Sequence, residues 1–66
     1  METLGEAYPK EQARLRELLS FYKEIGPAGR FGHLMISKTL EAADRAAIEG
    51  DTVAMIRLYQ EMKECQ

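Results

Sequence analysis

The segment 26–29, with the sequence Gly-Pro-Ala-Gly, interrupts a chain whose other segments follow helical periodicity. Glycine readily adopts the left-handed backbone that ends helices, and proline cannot continue a helix because it lacks an amide hydrogen and clashes with the preceding turn. We therefore expect one helix to end near Ile25 and the next to begin between Ala28 and Phe31. A chain broken in this way must fold as separate helices that pack back on one another.

The first predicted helix starts at Pro9, because proline suits the first helical position and Glu11 complements the helix dipole within the first turn. Residues 1–7 carry no periodic pattern, so we expect a loosely ordered lead-in followed by a single helical domain over 8–66. The apolar stripe of this helix advances in steps of three and four residues. It comprises Leu15, Leu18, Leu19, Tyr22 and Ile25.

The second helix is expected to run to about Glu49, and a third to follow after a very short turn. Gly50 can end one helix with left-handed backbone, and the Asp51 side chain can accept the free amides that begin the next. The inner row of the second helix is predicted to be Ile36, Leu40, Ala43 and Ala47, and that of the third Met55, Leu58, Tyr59 and Met62. The fold class is therefore all-α, a small three-helix domain with a Gly-Asp hairpin.

The small size of the chain bears on how it is stabilised. A domain of 66 residues buries only about 60% of the surface that its unfolded chain exposes, and usually needs a disulfide, a metal or self-association. Cys65 is the only cysteine and His33 the only histidine, so neither an internal disulfide nor a zinc site can be assembled. We therefore expect a homo-oligomeric helical bundle.

Net charge and hydropathy narrow the possible partners. The net charge is −2 and the isoelectric point is about 5.3, which argues against duplex nucleic acid because backbone binding requires many Lys and Arg. No apolar run approaches the roughly 20 residues that cross a bilayer, and the first residues lack the order of a signal peptide. A cytoplasmic protein without membrane contact is expected, and a small anion or a protein remains possible as a partner.

The start of the second helix carries a group of residues suited to a phosphate-bearing ligand. Arg30, His33 and Ser37 share one helix face, and Lys38 lies to its flank, roughly 12 Å along the axis from Arg30. Backbone amides at the beginning of the helix, next to Gly29, add partial positive charge. The same side chains also suit ordinary surface roles: a solvated arginine, a capping histidine, a serine bonded to its own backbone, and an ion pair of Lys38 with Glu41.

Five short segments follow one another along the first two predicted helices: Tyr-Pro at 8–9, Glu-Gln at 11–12, Pro-Ala-Gly-Arg at 27–30, Leu-Met-Ile-Ser-Lys at 34–38 and Leu-Glu-Ala-Ala at 40–43. In this order they resemble the phage anti-CBASS sponge family. The chain is shorter than members of that family and lacks tryptophan, which they tend to carry in a later helix. The resemblance implies a short, acidic, all-helical protein that forms hexamers and sequesters cyclic di- and trinucleotides.

The same resemblance assigns roles to individual residues. Tyr8 would stack on a base, Arg30 and Lys38 would meet phosphates, and Ser37 would offer a hydroxyl. The residues themselves leave a second reading of Tyr8 open, in which it pins the entry of the first helix as a hydrophobic staple.

Two functions are expected. The resemblance implies a non-catalytic phage or prophage anti-defence protein that sequesters a cyclic oligonucleotide immune signal in the host cytosol. The alternative is a small helical oligomeric module that inhibits a host protein by direct binding. The adjacent aromatic residues at positions 21 and 22 favour it, because they cannot share one narrow helix face and one of them is left to contact a partner protein. No phosphate loop, His-Glu-x-x-His or Gly-x-Ser-x-Gly motif occurs, so neither catalysis nor a cofactor is expected.

Overall fold

A computed structural model describes residues 2–65 as three α-helices joined by two tight connections. Helix α1 spans Leu4–Glu24, α2 spans Arg30–Glu49 and α3 spans Thr52–Glu64, and a 3₁₀ turn covers Gly26–Gly29. Within this range the chain contains no β-strand. The all-α, three-helix prediction is confirmed.

The start of α1 corrects the sequence prediction. The helix begins at Leu4 rather than at Pro9 because Thr3 caps it: the Thr3 hydroxyl oxygen accepts the Glu6 amide at 3.2 Å and donates to the Glu6 carboxylate at 3.1 Å. This Thr-x-x-Glu arrangement supplies partners at a helix start that are otherwise missing. The expected lead-in over 1–7 is therefore wrong for residues 4–7, and Met1 lies outside the described residues.

Pro9 consequently stands inside α1, where it cannot donate the usual backbone hydrogen bond. The two residues before it, Ala7 and Tyr8, are both buried. The Tyr8 side chain packs in the core shared with the other helices, and this burial stabilises the first turns of α1 and offsets the lost hydrogen bond.

Both glycine connections form as predicted. Gly26 follows the end of α1 with φ = 73°, and Gly50 ends α2 with φ = 67°. Residues that carry a Cβ atom rarely adopt this left-handed backbone conformation. Asp51 then accepts the Ala54 amide at 3.1 Å and caps α3. Helices α2 and α3 therefore form the expected tight hairpin.

The core lies between all three helices and is aliphatic apart from one tyrosine. Its buried members are Tyr8, Leu15, Ile36, Leu40, Ala43, Ala46, Leu58 and Met62. The predicted inner row of α2 is confirmed except at its end, where Ala46 is buried and Ala47 is exposed. Ala46 packs in the same cluster as Leu58 of α3, because the turn at Gly50 folds α3 back onto that side of α2.

Polar contacts join the helices around this core. Arg14 of α1 donates to the carbonyl oxygens of Met62 and Cys65 at the end of α3, the latter at 2.9 Å, and also pairs with Glu11. The carbonyl groups of a last helical turn have no partners within the helix. Arg14 therefore acts as a cap for α3 supplied by another helix.

Candidate functional site

An open cleft of about 420 Å³ lies where α1 ends and α2 begins. The last turn of α1 forms one wall, the 3₁₀ turn forms the floor and the first turn of α2 forms the other wall. The lining residues are Tyr22, Lys23, Gly26, Pro27, Arg30 and His33. Its volume falls in the range typical of small-molecule sites, about 300–1,000 Å³.

In the part of the chain that the structure describes, the lining of this cleft carries positive charge without a compensating carboxylate. Lys23 and Arg30 contribute positive charge, and His33 adds an imidazole whose ring nitrogens can form hydrogen bonds with a ligand. Within residues 2–65, none of these three side chains forms an ion pair or a side-chain hydrogen bond. Their hydrogen-bond donors are therefore available to an anion.

Glycine at two positions lets α1 and α2 approach closely beside the cleft. A Cβ on Gly29 would lie 2.5 Å from the Tyr22 carbonyl oxygen, and one on Gly32 would lie 2.9 Å from the Tyr22 ring. The ring also makes an edge-to-face contact with Phe21, with centroids 5.7 Å apart. Contacts on several sides thus fix the position of the Tyr22 ring in the cleft wall.

The backbone at the start of α2 contributes less to this cleft than the sequence suggests. The Arg30 amide already donates to the Pro27 carbonyl within the 3₁₀ turn. Gly29 is buried and makes a close contact with α1, but it does not line the cleft. The groups of the cleft that can bind a ligand are therefore mainly side chains.

The predicted site residues divide into two groups. Arg30 and His33 come together in the cleft, with Gly29 packed behind them. Ser37, one turn further along α2, is half-buried and does not line the cleft. Lys38 is exposed on the side of α2 that faces away from the core, outside the cleft.

The prediction for Tyr8 is wrong. Its side chain is 1% exposed, and its hydroxyl donates to the Ala43 carbonyl oxygen at 2.7 Å. Tyr8 is therefore a core residue that joins α1 to α2, and its ring cannot stack on a base while the helices remain packed. It is not a hydrophobic staple either, because the helix begins four residues before it, at Leu4.

Sequence reasoning missed Lys23 as a site residue and placed Tyr22 only in the apolar stripe. The 3₁₀ turn reverses the chain, so residues just before Gly26 face residues just after Gly29. A basic residue three positions before the glycine was a usable signal. The direction in which the two helices leave the turn was not readable from sequence.

Neither a metal-ligand cluster nor a membrane-spanning helix is found among the described residues. No group of three or more His, Cys, Asp or Glu residues among positions 2–65 is placed to hold a metal ion. None of the described helices is both long enough and apolar enough to cross a bilayer.

Comparison with known proteins adds no relative. No protein-family model, curated protein or solved structure matches the chain.

Proposed function

We propose that this protein is a non-catalytic phage or prophage anti-defence protein that sequesters a cyclic oligonucleotide immune signal in the bacterial cytosol. One observation carries the proposal: Lys23, Arg30 and His33 line an open cleft, and none of the carboxylates among residues 2–65 lines it. Phosphate groups are bound in proteins by such clusters, with the planar arginine fork giving direction and lysine a point charge. The resemblance to the sponge family supplies the ligand class.

Tyr22 completes this proposal in place of Tyr8. Its ring lines the cleft beside the cations, and aromatic rings stack on nucleobases without strong sequence preference. A ligand that carries both phosphate and base would therefore meet Arg30 and Lys23 with its phosphate and Tyr22 with its base.

Thermal unfolding with a panel of cyclic di- and trinucleotides tests this function. A ligand present at 100 times its Kd adds about 2.7 kcal/mol of stability, which in a domain of this size shifts the Tm by roughly 10–20 °C. We expect such a shift with at least one member of the panel. Chromatography of the ligand after incubation should recover it unchanged, as sequestration without catalysis requires.

Two variants connect the shift to the cleft. Arg30→Ala should abolish the shift and leave the helical circular dichroism signal intact. Arg57→Ala is the matched control, because Arg57 is an exposed arginine of α3 outside the cleft, and it should keep the full shift. A shift that survives Arg30→Ala would remove the cleft from the proposal.

A protein-interaction module that inhibits a host protein is the second candidate. Exposed apolar side chains on α3 favour it: Val53 is 79% exposed, and Ile56 stands three residues later on the same helix face. Helices with such anchors dock into grooves of partner proteins. If none of the cyclic nucleotides in the panel shifts the Tm, this second candidate is favoured.

A further inference from the structure

The outer side of α2 carries a regular pattern that the cleft does not use. Ile36, Leu40 and Ala43 face the core, and the residues on the roughly opposite side repeat with the alternating steps of three and four that define a coiled-coil heptad. We call this set the outer stripe. It consists of Phe31, Leu34, Lys38, Glu41, Arg45 and Ile48.

The ends of the outer stripe are apolar and open to solvent. Phe31 is 75% exposed, Leu34 is 51% exposed and Ile48 is 86% exposed. Exposed apolar side chains that recur on one helix face mark a surface that another helix covers.

The centre of the outer stripe carries one cation and one anion. Lys38 and Glu41 are both exposed, and within residues 2–65 they make no ion pair with each other or with another residue. The ion pair expected from their spacing is therefore not formed within the chain. Both charges remain available to a partner.

We propose that the outer stripe is a self-association surface on which α2 pairs antiparallel with α2 of a second copy of this chain. In an antiparallel pair centred between positions 38 and 41, Lys38 of each copy faces Glu41 of the other. The same register places Phe31 against Ile48 and Leu34 against Arg45, each twice. A parallel pair in register would instead place Lys38 against Lys38 and Glu41 against Glu41.

The shape of α2 agrees with this register. A depression of about 410 Å³ at the C-terminal end of the stripe is lined by Ile48 and by four charged residues, Glu41, Asp44, Arg45 and Glu49. The antiparallel pairing brings the exposed ring of Phe31 from the second copy to this depression. Apolar contact thus forms at both ends of the stripe, and the charges at its centre set the orientation, as polar core positions do in coiled coils.

Sedimentation equilibrium with charge-reversed variants tests the pairing. Lys38→Glu converts two attractive contacts into two repulsive ones, and should raise the dimer Kd by about ten-fold or more. Glu41→Lys should do the same. The double variant, Lys38→Glu with Glu41→Lys, restores opposite charges at both contacts and should return the Kd to near its original value.

Cysteine cross-linking tests the orientation on a Cys65→Ser background. A mixture of Phe31→Cys and Ile48→Cys chains should form a disulfide between unlike chains, whereas each variant alone should not cross-link. In the antiparallel register, position 31 of one copy lies beside position 48 of the other, so the two like cysteines in a dimer of a single variant are about 25 Å apart, which is too far for a disulfide.

Several results would overturn the proposal. They are a chain that stays monomeric at high micromolar concentration, a dimer whose Kd does not respond to charge reversal, and efficient cross-linking of Phe31→Cys chains to one another. Circular dichroism of each variant checks that it is folded, which is expected because all the substituted stripe positions are exposed.

Discussion

The buried hydroxyl of Tyr8 offers the sharpest test of the fold, through the substitution Tyr8→Phe. The phenylalanine ring fills the same space but removes the 2.7 Å hydrogen bond to the Ala43 carbonyl oxygen. An intramolecular hydrogen bond contributes about 0.5–1.5 kcal/mol net to stability. The Ala43 carbonyl belongs to the interior of α2 and keeps its helical partner, so we expect a loss of about 1 kcal/mol.

A loss of this size is measurable because the domain is small. At about 0.05–0.15 kcal/mol per residue, the whole chain has a free energy of unfolding of roughly 3–10 kcal/mol. Urea unfolding monitored by circular dichroism should show a lower midpoint with an unchanged slope, which indicates a change in stability alone. The Tm should fall by roughly 4–8 °C.

Tyr59→Phe is the matched control for this measurement. Tyr59 is half-buried, and its hydroxyl has no hydrogen-bond partner within residues 2–65. The same chemical change there should leave the midpoint nearly unaltered. Equal midpoints for the two variants would refute the argument, and a Tyr8→Phe variant of full stability that no longer binds a cyclic nucleotide would return Tyr8 to the ligand site.

Three further outcomes follow from the same structure. Burial raises the pKa of Tyr8, and the negative charge of Asp44 raises it further. The contribution of this shift to the free energy of unfolding is complete below the unfolded-state pKa near 10. It is lost as the pH rises through the higher folded-state pKa. Wild-type stability in alkaline urea titrations should therefore fall more steeply than that of Tyr8→Phe. Gly29→Ala should lower the free energy of unfolding, measured in urea, by about 1–3 kcal/mol, because the new Cβ meets the Tyr22 carbonyl oxygen at 2.5 Å. Gly5→Ala is the matched control: its Cβ has no contact nearer than 3.8 Å, and the substitution should raise the free energy of unfolding by up to about 1 kcal/mol. Asp51→Ala removes the cap of α3 and should cost about 1 kcal/mol by the same assay, an expectation that fails if the midpoint is unchanged.

The connections between helices were predictable because they depend on local backbone chemistry. Gly26 and Gly50 both adopt the left-handed conformation, and few other residues do so without strain. The start of α1 is equally local, but its signal is the capping pair Thr3 and Glu6 rather than the proline at position 9. In the structure the cap determines where the helix begins, and burial makes the interior proline tolerable.

The site was only partly predictable because it depends on how two helices meet. Arg30 and His33 lie one turn apart on α2, so their common face follows from helix geometry alone. Lys23 joins them only through the path of the 3₁₀ turn. The burial of Tyr8 had a sequence signal, since Leu15 and Tyr22 follow it at steps of seven residues and continue the same apolar stripe.

The contact of Arg14 with the end of α3 has a consequence for how the chain opens. Helix termini ordinarily fray at little cost, independently of the rest of a protein. Here the final turn of α3 cannot unwind without releasing a guanidinium group held by α1, which binds the Met62 and Cys65 carbonyls. Local opening at this terminus is thereby coupled to separation of the first and third helices, so that it becomes part of cooperative unfolding.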